Sequence, residues 1–492
     1  MSYEVIEGLS PQILWKRFFE ISQIPRQSKH EERIRLYIKN FAGQHNFSFK
    51  EDQTGNILIY LPPTPNYENA PTIVLQSHLD MVCEKNKEII HDFDKDPIKL
   101  IKQGEWLKAD GTTLGADNGI GVAAALAIAL DDTFEHGPIE LLFTVDEETG
   151  LTGVNNLQND FISGKYLLNL DTEEDGAFYI GCAGGMDTIG SLKINYGKLN
   201  PKYKPYYLFI SGLRGGHSGI NIHEGRANAI KLLGFILKNL EAVNYQISYL
   251  NGGSRRNVIP REAEAILWLN PEDEIKAIEI VNAFTIETTL EYKNKEDDIK
   301  IIFERKENYD INKNVFADDF LKKVINLLLA VPHGVISMSA DIEGLVETST
   351  NLATITMEDG YLKIGTSQRS SIESAKRNIG NSIRAVFELA GADVNVEDKY
   401  PAWQPNINSK LLKISKEVYQ KLFETEPHVK AVHAGLECGI LIDKFPWLDM
   451  ISLGPTIEGA HSPDERVKIT DVEKFYTLIK AIISEISKSS VL

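Results

Sequence analysis

The sequence predicts an α/β protein of two or three domains, and three observations carry that prediction. Apolar runs such as Ile139-Glu-Leu-Leu-Phe-Thr-Val145 are too continuous to alternate between core and solvent. They read as strands buried on both faces, in a mostly parallel mixed sheet flanked by helices. Several of these runs end in His, Asp or Glu, and ligands bind at the carboxyl ends of strands in open α/β sheets. A long block, about 186 to 400, differs in character and reads as an inserted α+β domain, leaving 1–185 and 401–492 as the first domain. At 492 residues the chain is too long for one compact core.

Composition excludes several classes of function. Hydrophobic content of 42% and charged content of 25% are those of a globular chain. A net charge of −18 disfavours nucleic acid or an anionic membrane as partner. Cys83, Cys182 and Cys438 have no paired spacing, so neither a disulfide framework nor a zinc-thiolate site is expected. No apolar run reaches the ~18 residues of a membrane helix, and the first residues lack the pattern of a signal peptide. A cytoplasmic protein is the expectation.

In chain order, helical periodicity predicts one helix carrying Leu14, Phe18 and Ile21, and a second carrying Ile34, Tyr37, Ile38 and Phe41. Residues 56–61 form a strand stopped by Pro62-Pro63. Thr72-Ile-Val-Leu-Gln-Ser-His-Leu-Asp80 is the next strand, with His78 and Asp80 two residues apart. Asp80 can orient His78 only if the chain bends there. Small residues from 114 to 130 form a buried helix with Asp117 at its mouth, where the helix dipole favours an anion. Gly119-x-Gly121 in this helix also fits a dinucleotide fingerprint, but no strand leads directly into it.

The run at 139–145 is followed by Asp146, Glu147 and Glu148. An acidic turn facing water is the ordinary reading of such a triplet, but three adjacent carboxylates also suit a cation. The run 165–170 again ends in an acid, Asp171, and a late strand at 448–453 precedes His461. One imidazole from each half of the chain, with carboxylates between, makes a mixed oxygen and nitrogen set suited to zinc, manganese or cobalt. Two metals bridged by one carboxylate is the economical arrangement for so many donors.

Inside the inserted block the pattern gives strands at 206–211 and 263–269, a helix at 227–240 and a solvated stretch at 293–307. A second group has helices at 316–330 and 371–389 with strands at 353–357 and 361–365. The element order suggests two similar halves. His223 and His333 read as structural or surface residues. His433 and Glu437 lie in a glycine-containing loop where contact with a substrate amine is possible.

Five ordered motifs carry a family resemblance: Ser77-His-Leu-Asp-Met-Val82, Gly115-Ala-Asp-Asn118, Asp146-Glu-Glu-Thr-Gly150, Asn169-Leu-Asp-Thr-Glu173 and Gly459-Ala-His-Ser-Pro-Asp464. The chain resembles the dimetal peptidases related to carboxypeptidase G and peptidase T. Gly181-Cys-Ala-Gly-Gly185, His433-Ala-Gly-Leu-Glu-Cys-Gly439 and the long insertion are similar to the branch of aminoacyl-histidine dipeptidases, hydrolases that cleave carnosine-like Xaa-His dipeptides. The resemblance implies a dimetal-peptidase catalytic domain with an inserted lid. It implies that His78 and Asp171 bind one metal, Glu148 and His461 the other, and that Asp117 bridges them. It further implies that Asp80 orients His78 and that Glu147 is the general base on a metal-bridging water. In the insertion, His217 would donate to the developing oxyanion, Asn257 would contact substrate and Arg369 would hold the substrate carboxylate.

The implied cofactors are two divalent metal ions, zinc first, with manganese or cobalt as alternatives. The implied partner is a dipeptide, with no nucleic acid and no membrane. Relatives with a short insertion take the oxyanion histidine from a partner subunit, so a homodimer stays open beside a single-chain arrangement. Two other classes are weighed against this metallopeptidase: an NAD-dependent oxidoreductase built on Gly119-x-Gly121, and a non-catalytic metal-binding protein.

Overall fold

A computed structural model describes residues 3–306 and 314–488. The chain forms two compact units: Met1–Gly181 with Pro405–Ala431 and Leu436–Leu492, and Cys182–Gln404 with Val432–Gly435. The crossings expected at 185/186 and 400/401 therefore lie at 181/182 and 404/405, because strand Gly184–Lys193 belongs wholly to the second unit.

The first unit is built on an eight-stranded sheet. Its order is Ser48–Glu51, Ile57–Leu61, Ile139–Thr144, Ile73–His78, Tyr166–Asn169, Asp449–Ser452, Ala177–Cys182 and His428–Val432. The central four are parallel, while Ser48–Glu51 with Ile57–Leu61, Ile57–Leu61 with Ile139–Thr144, and Asp449–Ser452 with Ala177–Cys182 pair antiparallel. The runs read as buried on both faces are so: every residue of Ile73–His78, Ile139–Thr144 and Tyr166–Asn169 is buried. Parallel strands need crossover connections, and helix Ala116–Ile128 supplies one between Ile73–His78 and Ile139–Thr144. Its alanines and glycines allow close packing. A methyl group on Gly121 would lie 2.5 Å from the carbonyl oxygen of Leu170.

A separate antiparallel sheet, ordered Ile457–Glu458, Arg466–Lys468, Trp106–Ala109 and Leu100–Gln103, ties the C-terminal region to the segment before that helix. It holds segments far apart in the chain in register, with Val467 opposite Leu107. None of the described helices is long and apolar enough to cross a membrane.

The second unit holds one nine-stranded antiparallel sheet of two quartets. The first quartet is Lys204–Ser211, Tyr245–Gly252, Ala263–Leu269 and Lys300–Arg305, with helices Ala229–Asn239 and Glu274–Glu291. The second is Gly184–Lys193, Val346–Glu358, Tyr361–Ser370 and Asp393–Tyr400, with helices Asp318–Ala330 and Glu373–Leu389. Numbered by chain order within each quartet, both run 4-1-3-2 across the sheet, and their second strands meet at Gly252 and Ile355. The edge strand Gly334–Met338 pairs with Val346–Glu358.

Two expectations for this block are corrected, and one helix is added. The stretch at 293–307 is not simply solvated: Lys300–Arg305 is an edge strand pairing with Lys204–Ser211, while residue 307 lies outside the described residues. Its outward face carries Lys and Glu, which disguises the pairing. The strand expected at 361–365 continues to Ser370, because Thr366, Gln368 and Ser370 are buried polar residues bonded to neighbouring strands. The added helix, Glu274–Glu291, buries Ala277, Val281 and Thr288 but leaves Ile275, Ile278 and Ile286 exposed, so its apolar residues give no amphipathic signal.

Candidate metal centre

The carboxyl ends of three parallel strands and one helix start bring the expected ligands together. His78 ends its strand and is 1% exposed. Its Nε2 lies 3.0 Å from Asp117 Oδ1 and 3.3 Å from Asp171 Oδ1. The chain turns after the strand, as the Asp80 reading requires, and His78 Nδ1 lies 3.3 Å from Asp80 Oδ1. The other oxygen of Asp117, Oδ2, is 3.1 Å from Nε2 of His461. Glu148 Oε2 is 3.0 Å from the same nitrogen. His78, Asp117 and Asp171 form one group able to hold an ion, and Asp117, Glu148 and His461 form another. Asp117 is common to both, with one oxygen toward each imidazole.

The donor chemistry fits cations. Four carboxylates and two imidazoles share this small volume, and Glu148 Oε1 is buried with no hydrogen-bond partner among the described residues. Burial opposes charge on His78, but Asp171, Asp117 and Asp80 outweigh it and raise its pKa well above the usual histidine range. Hydrogen bonds to Asp117 and Glu148 take His461 up to about 11. Burial and neighbouring acids push Asp171 up to about 6. Such a cluster attracts protons in proportion to its surplus negative charge, and a divalent ion relieves the same surplus.

Glu147 differs from its neighbours. Its carboxylate is half-buried and makes no hydrogen bond among the described residues. Burial, with Asp171, Glu437 and Glu148 adding to it against the pull of His78, raises its pKa well above the carboxylate range. Its backbone is fixed: Glu147 N–H donates to Asp80 Oδ1 at 3.0 Å, and Glu148 N–H to Asp80 Oδ2 at 3.2 Å. Ser28 Oγ donates to Asp80 as well. Burial alone would raise Asp80, but these donors and His78 bring it down to about 2.

Two residues that support the centre gave no signal in the sequence. Glu465 is 2% exposed, and its carboxylate accepts the backbone N–H groups of Leu114, Gly115, Ala116 and Asp117 at 2.7–3.2 Å. It thereby fixes the start of the helix and, four residues from His461, the loop that bears that ligand. The buried guanidinium of Arg26 donates to the carbonyls of Leu79, Asp80 and Gly115, tying the His78 strand end to the same helix. Both contacts run from a side chain to backbone groups distant in the chain and leave no pattern of spacing. Glu465 also removes the dinucleotide reading. A carboxylate already fills the helix start where a pyrophosphate would sit, and the strand before it, Trp106–Ala109, is antiparallel.

Glu437 begins helix Glu437–Lys444 instead of lying in a loop, and it is buried. Its Oε2 accepts from Gln76 Nε2 at 2.6 Å and Thr144 Oγ1 at 2.9 Å, while Oε1 has no partner among the described residues.

The expected residues of the insertion are gathered in the second unit. His217 sits in a short strand, Gly216–His217, paired with Val258–Ile259. Its Nδ1 accepts the N–H groups of Gly219 and Ile220 at 3.2 Å each, so in the neutral ring the proton is on Nε2. Burial and then Arg369 lower its pKa to about 4, which keeps it neutral. Asn257 is exposed, beside a cleft of about 560 Å³ lined also by Arg255, Arg256 and Glu397. Arg369 is 6% exposed, yet its guanidinium pairs with no carboxylate among the described residues. It donates to Tyr400 Oη at 2.6 Å and to Ser218 Oγ at 3.4 Å. His433 Nε2 is 2.7 Å from Ser349 Oγ. His223 is exposed, and His333 Nδ1 faces the side-chain amide of Asn228 at 3.3 Å, a structural role.

The comparisons with known proteins agree with this geometry. The cytosol non-specific dipeptidase of Escherichia coli is 41% identical over 482 residues, 98% of this chain and 99% of its own. The crystal structure of an aminoacylhistidine dipeptidase from Vibrio alginolyticus matches with a TM-score of 0.90 at 41% identity, covering 97% of each chain. An aminopeptidase structure from Bacillus cereus shares the fold at 17% identity, with a TM-score of 0.57 over 97% of this chain and 99% of its own. A model of peptidase family M20/M25/M40 matches residues 74–485, and the chain belongs to that family.

Proposed function

We propose that the protein is a metal-dependent dipeptidase acting on dipeptides, Xaa-His (carnosine-like) among them, with two divalent ions at the described centre. The observation that carries this reading is Asp117, whose two oxygens point to different imidazoles and so belong to two ligand groups at once. The relatives named as dipeptidases, similar along nearly the whole chain, support the substrate class. His78, Asp117 and Asp171 would hold one ion and Asp117, Glu148 and His461 the other, with zinc favoured by the mixed nitrogen and oxygen donors. The ions would supply Lewis acidity toward the peptide carbonyl and lower the pKa of a water.

The chain's own residues then have distinct tasks. Glu147, whose carboxylate makes no hydrogen bond among the described residues, takes the proton of the attacking water and delivers it to the leaving amine. Asp80 keeps His78 oriented and holds the Glu147 backbone. His217, neutral with its proton on Nε2, donates to the carbonyl oxygen as negative charge develops. Arg369 pairs with the free carboxylate of the dipeptide, and the exposed Asn257 contacts its backbone. Glu437, through its unpartnered Oε1, is the candidate for the substrate amine. A non-catalytic role would leave a free base beside the ligands without purpose. We expect the protein to work in the cytoplasm, as a monomer or a homodimer.

Metal-stripped protein assayed on a dipeptide panel, with zinc, manganese or cobalt added back, tests the reading. Activity should return with two equivalents of metal. Full activity without stoichiometric metal would refute it.

A further inference from the structure

The glycines of the two motifs at 181–185 and 433–439 have no role in the chemistry described so far, yet one from each, Gly185 and Gly435, meets the same side chain. Strand Gly184–Lys193 lies between Tyr361–Ser370 and Asp393–Tyr400. Gly185 is in register with Arg369 on one side and Tyr400 on the other. Because Gly185 has no side chain, the Tyr400 ring lies across it and reaches Arg369. A methyl group there would sit 2.3 Å from the ring. From the second motif, a methyl group on Gly435 would sit 2.8 Å from the same ring. Two glycines thus form a slot for one aromatic ring, with its hydroxyl fixed beside a guanidinium.

The hydroxyl accepts from Arg369 Nη1, and its own proton has no acceptor among the described residues. Burial raises the Tyr400 pKa, against the influence of Arg369, so the phenol stays protonated and able to donate. Arg369 is itself a buried cation without a carboxylate partner among the described residues. Its two neighbours, Tyr400 and the buried Ser218, are neutral hydroxyls that stabilise the guanidinium without neutralising it. A site of this kind is built to receive an anion from outside the fold.

We propose that Tyr400 is a substrate-binding residue whose hydroxyl donates to the free α-carboxylate of the dipeptide, beside Arg369. The proposal rests on the reading of Arg369 as the carboxylate clamp and adds to it a second donor. It also explains both glycine motifs as the walls that place that donor. A guanidinium alone recognises a flat anion. A guanidinium with a fixed hydroxyl also sets the distance of that anion along the chain, which selects dipeptides over longer peptides.

Tyr400→Phe keeps the ring in its slot and removes only the hydroxyl. Full-length, metal-loaded wild type, Tyr400→Phe, Arg369→Ala and the double variant are compared on a dipeptide and on the same dipeptide with an amidated C-terminus. Loss of a hydrogen bond to a charged group predicts a roughly 10- to 100-fold fall in kcat/KM for the acid, mainly through KM. The amide should change less than threefold, and adding Tyr400→Phe to Arg369→Ala should cost little more. Equal losses on acid and amide, or no loss at all while Arg369→Ala still separates the two substrates, would overturn the Tyr400 proposal and leave the Arg369 clamp standing. Indifference of Arg369→Ala to the carboxylate would instead remove the clamp, and the acid-to-amide ratio of Tyr400→Phe would then decide the hydroxyl by itself. Unchanged thermal unfolding and metal content of Tyr400→Phe separate these outcomes from misfolding.

Discussion

The backbone N–H of Glu147 is bound to Asp80 Oδ1 at 3.0 Å, and that same oxygen lies 3.3 Å from Nδ1 of His78. A single carboxylate therefore aligns the proposed base and a proposed ligand with respect to each other. Asp80→Ala should weaken metal binding and lower activity together, each by roughly 10- to 100-fold, as supporting carboxylates behind metal-bound histidines do. Metal titration and kcat measured on one preparation check this. An effect on kcat with unaltered metal affinity would assign Asp80 to the base alone.

Glu147 and Glu148 are adjacent but are expected to respond differently. Glu147→Gln should retain its metal and lose kcat by about 10²–10⁴-fold, the usual contribution of a general base. Glu148→Gln should lose metal from the group that contains His461. Elemental analysis beside steady-state kinetics distinguishes them, and the opposite pattern would exchange the two roles.

Glu465 is the least conspicuous support and a strong one. Glu465→Ala leaves the N–H groups of Leu114, Gly115 and Ala116, all buried, and that of the half-buried Asp117 without their acceptor. We expect a loss on the order of 2–4 kcal/mol in denaturant unfolding and weaker metal binding, because Asp117 and His461 lie on either side of it. His223→Ala, at an exposed position, should alter neither.

A pH dependence follows from His333. Burial, with Lys231 nearby, lowers its pKa to about 4, below the ordinary 6.5 of an unfolded chain. Between these values the unfolded state binds more protons than the fold, so stability is complete above about pH 6.5 and is lost as pH falls toward 4. In chelator-treated protein, His333→Gln should reduce the stability lost between pH 7 and pH 4.5 by on the order of 1–2 kcal/mol. Urea unfolding at both pH values is the check. Identical pH profiles would mean that His333 is not kept neutral by the fold.

The legible parts of the sequence were those in which one residue type serves both structure and chemistry. Apolar runs ending in His78, Glu148 or Asp171 announced a parallel sheet and, at its carboxyl ends, the imidazole and carboxylates that gather there. The supports were illegible because their partners are backbone groups far away in the chain: Glu465 with 114–117, Arg26 with 79–80 and 115. Tyr400 was illegible for another reason. Its meaning comes from Gly185, across a strand pairing that the sequence cannot display. Strand 361–370 was cut short because its buried residues are threonine, glutamine and serine, which resemble a loop until their partners are known.

The repeated 4-1-3-2 order of the second unit has a further consequence. The first quartet is threaded into the second between strand Gly184–Lys193 and helix Asp318–Ala330, and its entry and exit are joined by a small ladder, Tyr196–Gly197 with Val315–Phe316. A tight turn replacing 198–314 would leave the host quartet's own connections intact while baring the outer half of Val346–Glu358, where Gly252 now pairs with Ile355. An exposed edge of that kind seeks another strand, and in the shortened protein the available one belongs to a second copy. The guest quartet thus occupies the place that a neighbouring molecule would take, so that in this chain the seam between quartets is covalently guaranteed and independent of protein concentration.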